Sequence, residues 1–542
     1  MKKIILILTL LLTGFLFCNA QFKQIAEGPG FAEPEEGFAK ILNMKNGNTF
    51  YLNISLKDGI NIRIYDVTHI QTVTTAFSPA YETLKTGDVE AIFEIAADVV
   101  VFISERDDRT PVLYRLIIDG NTGKLKEEKT IARMRKEGAF VNTSRYKSFY
   151  VSKDLYTDNY AVILYSVMES DIEKRMEIIH YGSNNNEISR NFFASADKEN
   201  KFFFYIDMVV MGSDKVCAFL FASEDKYEFG KKGNMVLATL QKGSVSYATL
   251  NTGDEVRVNW GLGKYNPVTK KILFLTAAQL GKRKNTYMAY QTSGKATYQP
   301  YLFMIDPISN TITSDGDIGA NEKLYTYYKE QFDKKDDYAG MPQNLFINDD
   351  GGFAIVYEEI MVQRQSSQSS GFGSSSTIRV DTKLGKMVVA TYDQKGILAS
   401  AYLVPKEHWV IFQELSPFYH ARREGSAQLL YRGNQYKSFA YLNGVSKNYI
   451  LFNDTERNNE VKKDKFVEVQ GVSDCDAFMY KLAGNDVAPK REYAFGAPAK
   501  GHTLALYAIS DYDKKSNVYV TLKLDKESPA NKEVKLVWLQ PQ

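Results

Sequence analysis

The sequence predicts an all-β chain, a β-propeller of about eight (seven to eight) four-stranded antiparallel blades, and three observations carry that prediction. Short runs of alternating apolar residues stand where a helical protein would have long 3.6-residue periodicity. A strand–turn–strand element recurs along the chain. Aromatics make up 13% of the 542 residues, with 35 Tyr and 32 Phe, and flat rings favour pleated, half-buried surfaces. The apolar share of 44% is enough for a large core, and a formal net charge of +2 gives no field for steering to nucleic acid or an anionic membrane.

The chain opens on "MKKIILILTLLLTGFLFCNAQ". Lys2 and Lys3 form a positive start, Ile4 to Phe17 an apolar run too short to span a bilayer comfortably, and Cys18-Asn19-Ala20 supplies small residues before Gln21. The expectation is a signal peptide over residues 1–20, cut between Ala20 and Gln21, followed by a single propeller domain over 21–542. A lipoprotein signal needs a small residue before Cys18, and Phe17 stands there. No other run is long and apolar enough for a transmembrane segment, so none is expected in the mature chain.

The runs "NTFYLNISL", "VLYRLIID", "YAVILYSV", "KILFLTAA" and "KNYILFND" are bounded by Gly, Asn, Asp or Lys-rich turns and read as strands of a meander. The recurring hairpin is "RIYDVTHIQTV" near Asp66, "RLIIDGNTGKLKEE" near Asp119, "EIIHYGSNNNEIS" near Gly182, "VLATLQKGSVSYATL" near Lys242 and "YLFMIDPISNTIT" near Pro307. It continues near Gln394, Asn485 and Asp525, giving eight occurrences, the first five of them spaced by 53, 63, 60 and 65 residues. A second hairpin precedes several of these, as in "ILNMKNGNTFYLNIS" and "AIFEIAADVVVFIS". Two hairpins make a four-stranded sheet, and six to eight such sheets in series describe a propeller. A solenoid lacks support because no short coil repeat is visible, and two β-sandwiches rank third.

"INDDGGFAIVYEE", Ile347 to Glu359, gathers carboxylates that invite a metal or acid–base reading. Asn348 to Gly352 occupies the slot of Lys45 to Asn48 in the first unit, so it reads as a tight hairpin turn, with Asp and Asn capping local N–H groups and Gly accepting positive φ. Glu358 and Glu359, adjacent on the following strand, should point to opposite faces and not cooperate. "QRQSSQSSGFGSSST", residues 363–377, reads as a flexible Gln/Ser/Gly loop that widens the sixth unit. Asn321 to Gly340 places Leu324, Tyr327, Tyr328 and Phe332 at helical spacing.

Catalytic signatures are missing. There is no HExxH, no GxSxG, no Walker A motif and no strand-linked GxGxxG, and the five histidines are scattered. "SDGDIG", Ser314 to Gly319, lacks the threonine and tryptophan of a sialidase Asp-box. No catalytic residue and no metal site is assigned. Calcium alone remains open as a cofactor, through hard oxygen ligands, although no loop has the alternating acids a calcium loop needs. The ligand-binding candidates are Tyr327 and Tyr328, whose rings can stack on sugars, and His420, Arg422 and Arg423 in "FYHARREGS", where arginine beside an aromatic suits a carboxylate or a sugar. Core packing is the competing reading for the tyrosines, and a solvated loop for Phe418 to Ser426. Cys217 lies in a strand-like run and Cys475 beside two acids, which reads as two buried, unreactive thiols, with a disulfide between them left open.

Asp350-Gly351-Gly352 leading to Glu358, Asp393 with Gly396 and Ile397, Pro405-Lys406 and Phe452-Asn453-Asp454 together resemble a group of uncharacterised exported proteins of Bacteroidota with propeller-like repeats. The resemblance implies export into a Gram-negative envelope, in the periplasm or associated with the outer membrane, and implies no activity. The functional expectation is a binding or scaffolding module of the cell envelope, with an envelope protein or a glycan as partner and no nucleic acid. The alternative is a glycan-active hydrolase or lyase whose carboxylates converge near the propeller channel.

Overall fold

The computed structural model describes residues 22–542 apart from 56–58, 80–86, 137–146, 167–168, 170, 194–201, 224–232, 251–255, 281–297, 320–321, 336–337, 369–375, 446, 460–465, 485–486 and 527–531. The proposed leader and the Ala20–Gln21 cleavage point lie outside these residues. Eight antiparallel sheets follow one another along the chain, each a meander of four principal strands. The first strands of the successive sheets are Gly37–Asn43, Asp88–Ile95, Phe149–Lys153, Phe202–Met211, Val256–Asn266, Met341–Ile347, Phe439–Asn443 and, split in two, His502–Ala505 with Asp511–Asp513. Nearly all of these first strands lie against the first strand of a neighbouring sheet, so they form the inner wall of a ring. This is an eight-bladed β-propeller.

The last blade closes the ring. Its strands Val518–Lys526 and Glu533–Gln540 take Lys23–Glu27 as their outer neighbour, with Lys23 opposite Gln540 and Glu27 opposite Val537. Trp538, fully buried, donates its indole N–H to Thr49 Oγ1 of blade one at 2.9 Å, which ties the two ends of the ring together across a dry interface. Closure explains the eighth hairpin seen in the sequence. Near Asp525 the chain joins the second and third strands of its blade, whereas the other seven recurrences join third to fourth strands; the fourth strand of blade eight comes from the N-terminal part of the chain. The core is spread between blades. Phe219 of blade four, for example, stacks on Phe274 of blade five with ring centroids 4.1 Å apart, and each such buried aromatic contributes roughly 1.5–3 kcal/mol through removal from water.

Because every blade starts at the channel and zigzags outward, its first-to-second and third-to-fourth turns share one face of the ring, called here the turn face. These turns are closed by their own side chains. Asp66 Oδ1 accepts the N–H groups of Thr68 and Ile70 at 2.8 and 3.1 Å; Asp306 and Asp393 do the same for Ile308 and Ser309, and for Lys395 and Ile397. The Asn348–Gly352 segment is such a turn. Asn348 N–H bonds to Gly352 O at 2.8 Å, Gly351 N–H bonds to Asn348 O at 3.0 Å, and Gly351 has φ +83°, a left-handed conformation that glycine adopts freely.

The opposite face carries the long connections, and there the structure departs from the sequence reading. The Gln/Ser/Gly run is not a loop throughout. Residues 363–368 pair with 376–381, from Gln363 opposite Asp381 to Gln368 opposite Ser376, so the strands Phe353–Gln368 and Ser376–Tyr392 extend as a hairpin beyond the blade; residues 369–375 lie outside the described part. Ser and Gln carry β-compatible backbones once a ladder is available, which composition alone does not register. Glu359 stands opposite Gly385 and Lys386 at a β-bulge in this hairpin. Helix α1, Glu322–Phe332, lies within the predicted helical span and packs on the outer strand of blade six. Cys217 and Cys475 are buried and free; the disulfide between them left open by the sequence is not formed.

Candidate functional site

Between blades six and seven the chain makes a long excursion, residues 405–438, which leaves from the face opposite the turns and enters the channel. It contains a short strand, His408–Val410, paired with the blade-six extension. Helix α2, Tyr419–Gly425, follows, and then a strand, Gln428–Leu430, that pairs with the inner strand of blade one, Gln428 opposite Ala39 and Leu430 opposite Gly37. Helix α2 touches the inner strands of blades two and six. From blade one, Lys40 Nζ donates to the carbonyls of Glu424 and Ser426 at 2.5 and 2.8 Å; from blade five, Lys264 Nζ lies 3.9 Å from Glu424. The excursion is a plug.

The plug is held by buried polar groups. Glu358 and Lys406 are both fully buried and paired at 2.5 Å, and Glu358 also accepts from Tyr419 Oη at 2.6 Å. Burial pushes the Lys406 amine down, against the pull of Glu358. Lys437 Nζ donates to Trp409 O at 2.5 Å, and Asn434 Nδ2 to Ile411 O at 2.8 Å. The plug's backbone has no continuous ladder to satisfy it, so side chains of the plug itself do so. Phe418, at the start of α2, has φ +62°, and its N–H bonds to Pro342 O at 2.9 Å.

Above the plug, on the turn side, a blind cavity of about 330 Å³ remains. Its floor is Glu424, Ala427 and Gln428 of the plug, and its walls come from blades one, six, seven and eight, through Lys40, Phe346, Tyr441, Asn443, Asp511 and Tyr512. Asp511 is engaged on both oxygens, by the N–H groups of Asn43 at 2.6 Å and Tyr512 at 2.9 Å, yet burial raises its pKa. Burial also lowers Lys40 to about 8, offset in part by Asp511 and Glu424. Elsewhere on the channel wall, Tyr150 and Tyr205 stack at 3.8 Å, and Asp207, raised by burial to about 6, accepts from Gly263 N–H at 2.6 Å.

The sequence candidates separate. His420 and Arg423 line the cavity. The expected solvated loop at Phe418 to Ser426 is instead helix α2 and its caps, because the plug buries Tyr419 and His420 against blade six. His420 stacks on Phe439 at 4.3 Å, and burial holds its pKa down near 4, so it is neutral at physiological pH. Arg422 is exposed and bonds Ser416 Oγ at 3.1 Å. Tyr327 and Tyr328 belong to α1, away from the cavity. Tyr328 is a core residue whose hydroxyl donates to Glu359 at 2.5 Å, and Tyr327 is half-buried, so the packing reading holds for the first. Lys40, Gln428, Tyr441, Asn443 and Asp511 escaped sequence reasoning. They come from four separate parts of the chain, and no local pattern marks them; the one available signal was the 91-residue gap between the sixth and seventh hairpins, which contains the plug.

Among the described residues no group of three or more His, Cys, Asp or Glu is arranged to hold a metal ion. No family model matches the chain, and no curated protein does. Solved structures match at low identity and low TM-score. Prolyl oligopeptidase B from Galerina marginata is 8% identical with a TM-score of 0.40, over 90% of this chain and 55% of that one. The polysaccharide lyase Uly1 is 9% identical with a TM-score of 0.36, over 86% and 92% of the two chains. YCF48 from Cyanidioschyzon merolae is 11% identical with a TM-score of 0.36, over 80% and 96%. The chain thus spans 55% of the length of the prolyl peptidase. Similarity at this level carries no argument about this chain, whose fold rests on its own sheet topology.

Proposed function

We propose that this chain is an exported binding module of a cell envelope, which docks an envelope protein on its turn face. The observation that carries the reading is where the exposed apolar side chains sit. Of the fifteen exposed large apolar side chains among the described residues, eight lie at turns of the face onto which the cavity opens, namely Val67 and Ile70 on blade one, Leu155 and Tyr156 on blade three, Val268 and Ile308 on blade five, Ile397 on blade six and Val445 on blade seven, while Ile25, Ile172, Ile188, Phe192, Met361, Phe412 and Leu429 are scattered elsewhere. Ile308 retains 87% of its possible exposure. Turns need no apolar residues to form, so an apolar set at the tips is better explained by contact with another surface than by folding. The basic start and apolar run of residues 1–20 support export.

The test replaces Val67, Ile308 and Ile397 together by Asp in the full chain and follows cross-linking in intact envelopes. The expected result is loss of a stoichiometric cross-linked partner with an unchanged melting midpoint. Cross-linking that persists in the variant, or a chain found in the cytoplasm, would count against the proposal.

A glycan-active enzyme has one observation in its favour, the presence of two carboxylates, Glu424 and Asp511, at one cavity. Against it, Asp511 already accepts two backbone N–H groups and faces Lys40, an arrangement that fixes a carboxylate in place and leaves it little freedom to shuttle protons. Turnover of a polysaccharide that is lost in Asp511→Asn and Glu424→Gln would favour this second reading.

A further inference from the structure

We infer that the plug is an acid-released stopper: protonation of His408 and His420 frees residues 405–438 from the ring while the blades stay folded, so the channel is stopped at neutral pH and open in acid. This goes beyond the binding reading above and does not depend on it. Three observations point to it.

The first is how the plug's two imidazoles, both buried, hold their protons. His408 Nδ1 lies 3.2 Å from Lys437 O, an atom that only accepts, so Nδ1 carries the proton and Nε2 does not. That Nε2 is buried and has no partner. Asn344 Oδ1 accepts the N–H of Leu345 at 2.8 Å, which turns its Nδ2 toward His420 Nδ1 at 3.2 Å, and this nitrogen therefore accepts. A second proton would point at no acceptor in His408 and at another donor in His420.

The second is charge. His408 meets the ammonium groups of Lys406 and Lys437 and the edge of Phe452. Glu407 beside it, and Glu468 beside its bridge partner Val469, are taken up by Lys383 and Lys386. His420 meets Arg423 and Lys264, and Glu424 at 3.8 Å from Nδ1 is beyond hydrogen-bond distance. Burial holds both imidazoles below their ordinary 6.5, His420 at about 4. Release returns them to water, so the stability of the plugged state is fully present above about pH 6.5 and is lost as pH falls toward about 4. Asp207, facing Arg422 and Lys264, and Asp511, facing Lys40, are raised by burial and act in the opposite sense as far as release exposes them. Their donors, the N–H groups of Gly263, Asn43 and Tyr512, belong to the ring and stay in place. The third is strain. Phe412, Phe418 and Arg432 of the plug have φ of +55°, +62° and +49°. Bulky residues keep this left-handed backbone only where their surroundings impose it. Asp381 accepts the Phe412 N–H at 2.8 Å and Pro342 O that of Phe418 at 2.9 Å, both from blade six, so release lets the plug relax.

The test is hydrogen exchange of the full chain at about pH 7.5 and about pH 5, read by mass spectrometry and corrected for the intrinsic pH dependence of exchange. An imidazole that titrates at about 6.5 when released and at about 4 or lower when plugged favours release by about thirtyfold at pH 5. With two of them, protection over residues 405–438 should fall by roughly a thousandfold, while the blade-two strand Asp98–Asp107 loses less than about threefold. His408→Asn keeps a donor for Lys437 O and His420→Asn an acceptor for Asn344, and neither titrates. Each should recover about thirtyfold of the loss, and the double variant nearly all of it. Plug protection equal at the two pH values, protection lost equally in plug and blade, or an acid response unchanged in the double variant overturns the inference. Should the variants fail to fold, the comparison of plug with blade in the parent chain still decides it.

Discussion

The two faces of this ring solve the same problem by opposite means. On the turn face, each hairpin satisfies its own backbone within four or five residues, as Asp393 does for Lys395 and Ile397. On the plug face, the groups that satisfy one another are far apart in the chain. Lys406 reaches Glu358 across 48 residues, and Lys40 reaches Glu424 O across 384. Local closure makes the turn face cheap to alter one turn at a time. Non-local closure makes the plug an interlocked unit, because removing either member of a buried pair leaves the other charged and unpaired.

The sharpest way to break that contrast is at Lys406. Lys406→Ala leaves Glu358 buried without its counter-charge, and a loss of about 3–5 kcal/mol is expected from urea unfolding. The double change Glu358→Gln with Lys406→Met should recover much of it, and a single variant as stable as the parent would mean that the plug is not anchored there. Next comes pH. Asp207 on the channel wall is raised from 3.8 to about 6 by burial, so the folded state favours its protonated form. The stability this contributes is present below about pH 4 and is lost as pH rises through about 6. Asp207→Asn should therefore raise stability by about 1–2 kcal/mol at pH 7.5 and leave it unchanged at pH 4. A gain equal at both values would rule out titration as the cause. On the turn face, Asp393→Ala removes two capping hydrogen bonds and should cost about 1 kcal/mol by the same urea assay. The smallest effect belongs to the tips. Ile308→Asp should change stability by less than about 0.5 kcal/mol, and a larger loss would show that this side chain packs within the fold and is no free docking element.

The same contrast explains what could be read early. The hairpins near Asp66, Asp119, Pro307 and Gln394 were legible because Asp, Asn and Gly act on their immediate neighbours, so the chemistry of the turn is written beside it. A count of seven to eight blades followed from the recurrence, and closure of the ring fixed it at eight. The eighth hairpin joins a different pair of strands from the other seven, which the recurrence could not show, because the outer strand that completes blade eight comes from Lys23–Glu27, far away in the chain. The site was barely legible. His420 and Arg423 were singled out for their side-chain chemistry and do line the cavity, but the segment that holds them was read as a solvated loop. An isolated seven-residue helix has no propensity strong enough to announce itself; α2 exists because Tyr419 finds Glu358 and His420 finds Phe439 inside the ring.

By itself, then, the sequence determined the strands, their turns and a count of seven to eight repeats, since alternation and capping act over a few residues and need no partner from elsewhere. Tertiary structure alone decided that residues 405–438 would turn inward and stop the channel, and that a small, charge-balanced cavity would be left above them. Those outcomes depend on which distant groups meet in a space that does not exist until the ring has closed.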